Sequence, residues 1–535
     1  MKYERVVLRP DLQSFGWPKR GAMRAGWLSL CVVIAVAAAG SLAEVTPAWA
    51  RKAINWVSVG QNGKLAYGTD ERGNRVPDFS TAGYRAGSAI PEVKVARRLE
   101  APSGGDDTAM IQAALDALSR NPVNDDGLRG ALELGPGRYT IAGSLRMSAS
   151  GIVLRGAGIG RTILHGAGEQ RPLLVIGGTG TWKRKGEILR IEDEYVPVGA
   201  TSVRVKGAGE LKAGDRIIVQ RPSTREWISA IGMDRIPARR DGGEVKQWEP
   251  GPGLLFDRTV VAVTGDRIEL NAPLTNALAS TDGAVVWRYE FDGRVSDVGV
   301  EHLSASGNAP PAARMGEKII RPRTAFVTFH AVENSWMQDV AIEGYTQSIA
   351  FGKTASGISV QRIKISASPE VERRLGLPMA VAINGQNILV SDCEVSGDSY
   401  MAWATQGLTA GPNVVRNCKA TGERVSAQAH QRWATGLLFD NIAITGSMHL
   451  GNRGSMGTGQ GWSSANGVLW NGSAETWRVD NPPTAHNWAF GMLGPLTPSQ
   501  EPLGEIISPG QHVKPQSLYE QQLIDRTGRT AGQSR

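Results

Sequence analysis

Cysteine is almost missing from this chain, with three in 535 residues. A disulfide scaffold is therefore excluded, and Cys393 and Cys418 are poorly spaced for a zinc site. Charge of one sign hardly dominates: the formal net charge is +8, and residues 1–50 hold six Lys or Arg against three Asp or Glu, leaving +5 for the rest. So mild a surplus points to no nucleic-acid partner. It fits an acidic polymer as ligand and a merely solvated surface equally well. Long apolar runs are missing too. The longest, Trp27 to Ala39, is too short and too Ala-rich for a membrane span. No cluster of Asp and Glu marks a metal site, so no cofactor is evident, and calcium is left open without support.

Present instead are 66 glycines, which suit many tight turns rather than helices. Arg20 and Arg24 precede the apolar run, and Ala48-Trp49-Ala50 has the small-x-small form of a cleavage site. Residues 1–50 are read as a signal peptide, with Arg51 opening the mature chain and Met23 as an alternative start. Cys31 follows Leu30 rather than a small residue, which argues against lipidation. A periplasmic or secreted location and no stable membrane span are expected.

A short pattern recurs late in the chain: Val390-Ser-Asp392-Cys393, Val415-Arg-Asn417-Cys418, Phe439-Asp-Asn441-Ile442 and Leu469-Trp-Asn471-Gly472, with weaker copies at Asp339 and Arg362. The turn residue moves from 392 to 417, 441 and 471, in steps of 25, 24 and 30. Such periods imply a solenoid, and short β-rich units below the roughly 40 residues of a propeller blade select a parallel β-helix. Asp or Asn tolerates the left-handed turn. Stacked at about 4.8 Å per coil, Asn417, Asn441 and Asn471 form an amide ladder under Asp392. Cys393 then lies over Cys418, as interior side chains first and as a disulfide alternatively.

Residues 51–104 read as an extended arm along the solenoid. Asp106-Asp-Thr108 opens a helix whose face Ile111, Ala114, Leu115 and Leu118 can close the first coil, within a segment 105–194 of cap and first coils. Residues 195–288 alternate like a small inserted antiparallel β subdomain, in which Trp227, Trp248 and Asp257 stand out. Its loop from Ala238 can wall a groove, or the insert can be packing alone. Residues 289–500 hold the main coils, and 501–535 a C-terminal cap with a short helix after Pro515 and a disordered end. Gly156-Ala-Gly-Ile-Gly160 lacks a third glycine at Arg161 and reads as turns, not a dinucleotide loop.

The run from Gly105 to Asp116, Leu134-Gly-Pro-Gly-Arg-Tyr139, Val153-Leu-Arg-Gly-Ala-Gly158 and His430-Gln-Arg-Trp-Ala-Thr-Gly436 together resemble secreted bacterial right-handed β-helix proteins of the pectate-lyase-like superfamily. The resemblance implies an all-β, right-handed parallel β-helix over most of the mature chain. It is weak for substrate, since that superfamily includes lyases, hydrolases, epimerases and phage tailspikes.

Excursions between coils carry the candidate chemistry and leave on one side, building a lateral cleft. They hold Asp398, Tyr400 and Trp403; Glu423, His430, Arg432 and Trp433; His449, Asn452, Arg453, Gln460 and Trp462; then His486 and Trp488. Planar polar groups beside aromatic faces suit a saccharide, so Tyr400, Trp403, Trp433, Asn452, Trp462, His486 and Trp488 are the expected substrate-binding set. For β-elimination on an acidic glycan, Arg432 or Arg453 neutralises the carboxylate, His430 is the base, and Tyr400 or His449 the acid. Hydrolysis instead needs two carboxylates from Glu394, Asp398 and Glu423. Glu394 should point outward above Lys419, where an ion pair is the simpler role. Arg362-Ile-Lys364 comes too early, and Gly459-Gln-Gly461 has Gln where polygalacturonase-type hydrolases carry His. A monomer acting on a polysaccharide, or only binding it, is expected.

Overall fold

The computed structural model describes residues 54–167, 171–307, 324–366, 379–398 and 401–530, with the short strands Ala313–Met315 and Lys318–Ile320. The signal-peptide reading and Tyr400 fall outside the described residues. Twenty-seven strands form one parallel sheet system, wound so that each strand pairs with its counterpart in the next coil. The chain is thus a parallel β-helix. Each coil has three walls, seen in the coil of Asn413–Arg416, Lys419–Thr421 and Ser426–Ala429.

Alternation along each strand sends every second side chain inward. On the first wall, Val300, Met337, Val360, Val390, Val415, Phe439, Leu469 and Ala489 lie in successive register and are all buried in one core. Each large apolar member contributes roughly 1.5–3 kcal/mol relative to exposure. Between first and second walls the chain turns through positive φ at Asp339, Arg362, Asp392, Asn417, Asn441 and Asn471. Asn441 Nδ2 donates to Asn417 Oδ1 at 2.9 Å, and Asn417 Nδ2 to Asp392 Oδ1 at 3.4 Å. Asn471 leaves this ladder: its amide donates to the carbonyls of Val513, Pro515 and Gln516, and Gln516 Nε2 takes its place on Asn441 at 3.1 Å. Cys393 and Cys418 are free, buried thiols of the interior stack, and Cys393 N donates to Cys418 Sγ at 3.3 Å.

The helix Thr108–Leu118 buries Ile111, Ala114, Leu115 and Leu118 against Leu132, Leu134, Leu145 and Met147 of the first coils. The N-terminal arm runs back along the first wall. Trp56 lies against Trp488, Asp70 against His486, Tyr84 against Trp336, and Val95–Leu99 pairs with Gly130–Leu134. The C-terminal helix Leu518–Thr527 docks beside this arm on the flank of the coils rather than over the last one, and the described chain stays ordered to Thr530. Asp440 receives the start of that helix, accepting from Ser517 Oγ at 2.7 Å and Tyr519 N at 2.9 Å.

The insert is an antiparallel six-stranded sheet in the order Lys183–Arg190, Val285–Glu290, Arg216–Ser223, Gly251–Thr264, Arg267–Leu270, Ser202–Arg204. It begins at Lys183, before the boundary read at 195, because its charged edge strand lacks the alternation that marks the others. It springs from the corner between third and first walls and lies along that corner. Arg258, 1% exposed, fixes it there: its five N–H donors reach the carbonyls of Ala272, Asp257, Pro273 and Gly411 and the Gln386 amide oxygen at 2.7–3.1 Å.

Candidate functional site

The third wall supplies the floor of the site. Ala427, Ala429, Met448, Leu450, Trp477 and Val479 face the core, so the residues between them face out. Register places Gln428 beside His449 and His449 beside Arg478. After Leu450 the chain leaves the wall and returns near Ser463, closing the excursion with Arg453 N to Gly461 O at 2.8 Å and Gly461 N to Gly454 O at 2.9 Å. That excursion folds Arg453, 6% exposed, back onto the floor. The insert braces it from outside, with Lys246 N bonded to Thr458 O and Trp462 N to Met233 Sδ.

Arg453 Nε donates to Gln460 Oε1 at 2.5 Å and Arg453 Nη1 donates to Gln428 Oε1. With its oxygen so engaged, Gln460 turns its Nε2 to His430 Nε2 at 3.0 Å, which makes that ring nitrogen the acceptor. Arg478 Nε lies 3.1 Å from both His449 Nε2 and Asp480 Oδ2, and Arg478 Nη2 donates to Asn452 O at 2.7 Å. His449 Nε2 stands 3.7 Å from Asp480 Oδ2, beyond a hydrogen bond. Burial, with Arg478 and Arg453 nearby, holds His449 below the usual imidazole pKa and so neutral at pH 7. Burial pushes the Asp480 carboxyl up, but its contacts with His449, Ser499 and Arg478 outweigh that and keep it ionised. Its Oδ1 is sealed from solvent and has no hydrogen-bond partner among the described residues. Asn452 completes the group, its Nδ2 donating to Glu501 Oε1 at 2.8 Å.

His430, His449, Asn452 and Arg453 therefore meet, as do Gln428, Gln460, Arg478 and Asp480. Of these last four, Gln428, Arg478 and Asp480 were missed by reading excursions only, since Gln428 and Arg478 are wall residues. Aligning each coil's third strand on its inward residues would have found both.

The expected aromatic trough does not form. Trp403 is fully buried inside the coil, because parity puts it in the inward row with Val381 and Ala427. Trp433 and Trp462 are buried in the insert's core, with Trp433 Nε1 on Asn276 Oδ1 at 2.8 Å and its ring edge-on to Trp227 at 5.0 Å. Trp488 faces outward but lies beneath Trp56 of the arm. His486 belongs to the same clasp, its Nε2 3.1 Å from Asp70 Oδ2; burial lowers its pKa, and Glu505 and Asp70 outweigh that and raise it. Arg432 is spent elsewhere as well, its guanidinium 5.9 Å above the Trp248 ring of the insert.

The carboxylates stand apart from the histidines. Glu394 is exposed on the second wall between Lys364 and Lys419. Asp398 staples the corner, accepting from Glu423 N at 2.6 Å and Arg424 Nη2 at 3.2 Å, and these bonds lower its pKa. Glu423 is exposed at that corner. Among the described residues no three His, Cys, Asp or Glu side chains converge as metal ligands, and no helix is long and apolar enough to cross a membrane.

No family model matches the chain, and no curated protein does. Several solved structures are similar to it. The tailspike protein gp49 from Pseudomonas phage LKA1 matches at 12% identity over 76% of this chain and 74% of its own, with a TM-score of 0.41. The polygalacturonase from Erwinia carotovora ssp. carotovora matches at 9% identity over 78% and 96%, with a TM-score of 0.39. The tailspike of E. coli bacteriophage HK620 in complex with pentasaccharide matches at 10% identity over 76% and 54%, with a TM-score of 0.37.

Proposed function

We propose that the chain is an exported, polysaccharide-active protein that cleaves an acidic glycan by β-elimination at the Arg453–His449–Arg478 cluster. The observation that carries this reading is two guanidiniums flanking an imidazole that burial keeps neutral. Arg453 and Arg478 bind the uronate carboxylate, which lowers the cost of removing the neighbouring proton. As Arg478 turns to the carboxylate, His449 Nε2 is freed and takes that proton. The C–H electron pair becomes the new double bond, the glycosidic C–O bond breaks, and the leaving oxygen takes a proton. Water supplies that proton, because His430 engages Gln460 through Nε2 and its Nδ1 is sealed from solvent. His449 is thus proposed for the role of base that the sequence alone suggested for His430. Buried Asp480 holds Arg478 and balances its charge.

The test is incubation of the pure chain with a panel of uronate-containing polysaccharides, following the absorbance of new unsaturated ends. Signal that vanishes in His449→Gln and Arg453→Met supports elimination. Reducing ends without unsaturation would move the chemistry to the Glu394, Asp398 and Glu423 group. A second reading, glycan binding without turnover by a monomeric chain, is favoured by the internal pairing of the cluster's charges. It predicts affinity in the same panel with no new ends of either kind.

A further inference from the structure

Away from the histidines, three parts of the chain meet around one cavity of about 400 Å³, within the roughly 300–1,000 Å³ usual for ligand clefts. The arm brings Arg85, the insert Thr259 and Asn271, and the first wall Asn334. Asp257 and Glu333 form the floor and are fixed from behind. Asp257 Oδ1 accepts from Tyr289 Oη at 2.6 Å, and its Oδ2 from Trp182 Nε1 at 3.2 Å and Arg294 Nη1 at 2.9 Å. Arg294 Nη1 also lies 3.4 Å from Glu333, which Arg216 holds with two bonds of 2.6 Å.

Charges here cancel: Arg294 and Arg216 offset Asp257 and Glu333, and Asp297 offsets Arg85 at 2.9 Å. The rim is different. Thr259 Oγ1, Asn271 Nδ2 and the side-chain amide of Asn334 make no hydrogen bond to any described residue, while Asn271 Oδ1 is engaged by Thr259 N at 2.8 Å. A charge-balanced floor disfavours an ionic ligand, and the scarcity of apolar lining disfavours a greasy one. Open hydroxyl and amide groups around a fixed polar floor match a ligand that presents many hydroxyls.

We propose that this cavity at the junction of arm, insert and coil binds one neutral, hydroxyl-rich sugar unit, as a saccharide site separate from the histidine cluster. It requires no chemistry at that cluster. A glycan held here is tethered to the solenoid whether or not another part of it is cut.

The test uses the full chain and isothermal titration with defined neutral oligosaccharides built on glucose, galactose, mannose or N-acetylglucosamine, with a uronate oligosaccharide for comparison. At least one neutral oligosaccharide should bind. Thr259→Val combined with Asn271→Ala should weaken it roughly tenfold or more, since two hydrogen bonds are lost, while Arg453→Met leaves it unchanged. Asn334→Gly gives a second arm, because φ of 46° at that position suits glycine and the change removes only the amide. The proposal is overturned if no neutral oligosaccharide binds, if affinity in both rim variants stays within twofold of the parent, or if only Arg453→Met abolishes it.

Discussion

Arg258→Lys should release the insert from the solenoid. The guanidinium is fully buried and spends all five donors on neutral acceptors, three on the insert and two on the coil at Gln386 and Gly411. Lysine has three donors on a compact, strongly hydrated head. At least two acceptors are therefore left unpaired in the interior, at about 1–3 kcal/mol each, so a loss of ~2–6 kcal/mol is expected at the joint. Native-state hydrogen exchange on Arg216–Ser223, Gly251–Thr264 and Val285–Glu290 reads this as a local opening energy, without requiring the whole chain to unfold in one step. The first-wall strands, with their own ladder, should keep their protection. The excursion bearing Arg453 is braced by the same insert, so glycan affinity should fall with the exchange protection. Unchanged protection in these insert strands, within about 0.5 kcal/mol of the parent, would refute the assignment of Arg258 as the fastening of the insert.

Three further outcomes are expected. Trp403→Ala should cost about 3–5 kcal/mol of stability in denaturant titration and leave glycan affinity per folded molecule unchanged, as befits a core side chain rather than a binding platform. The lowered pKa of His449 means that the proposed elimination, which needs the neutral ring, should persist below the ordinary imidazole value of 6.5 and fall as pH drops through the lowered one in the pH–rate profile of the parent chain; a rate that holds level across that range would refute His449 as the base. Burial pushes Asp440 up to about 6 from 3.8. The folded state therefore favours its protonated form, and the stabilisation, ~3 kcal/mol at about 1.4 kcal/mol per pH unit, is full below pH 3.8 and lost as pH rises through 6. Exchange protection of the C-terminal helix should be greater at pH 4 than at pH 7, and Asp440→Asn should flatten the difference.

The coils were legible because their physics is local. A left-handed turn every few strands selects Asp or Asn, and the stacked rows select apolar residues at fixed parity, so Asn417, Asn441 and the Cys393–Cys418 stack can be read from spacing. The aromatic residues misled because a tryptophan beside an excursion looks the same whether it faces solvent or core. Trp403 belongs to the inward row by parity, a fact available from Met401 and Thr405 on either side of it. Trp433 and Trp462 are covered by an insert more than 140 residues away in sequence, and no local pattern announces that contact. Five of the eight residues of the histidine cluster were visible, as His430, His449, Asn452, Arg453 and Gln460. Asp480 was not, because a buried carboxylate at a strand end carries no periodic mark.

A pile of coils that touch only their neighbours would melt like a zip, opening from whichever end is weaker. The segment from Trp56 to Leu99 forbids that sequence of events, since it is anchored on the late coil at Trp488 and the late-chain His486 and finishes as a strand beside the first. Peeling away the last turn must pull on the same strap that edges the opening turn. The two ends of the spiral thus share one fate, and heat should dissolve the stack as a closed loop rather than as a fraying rope.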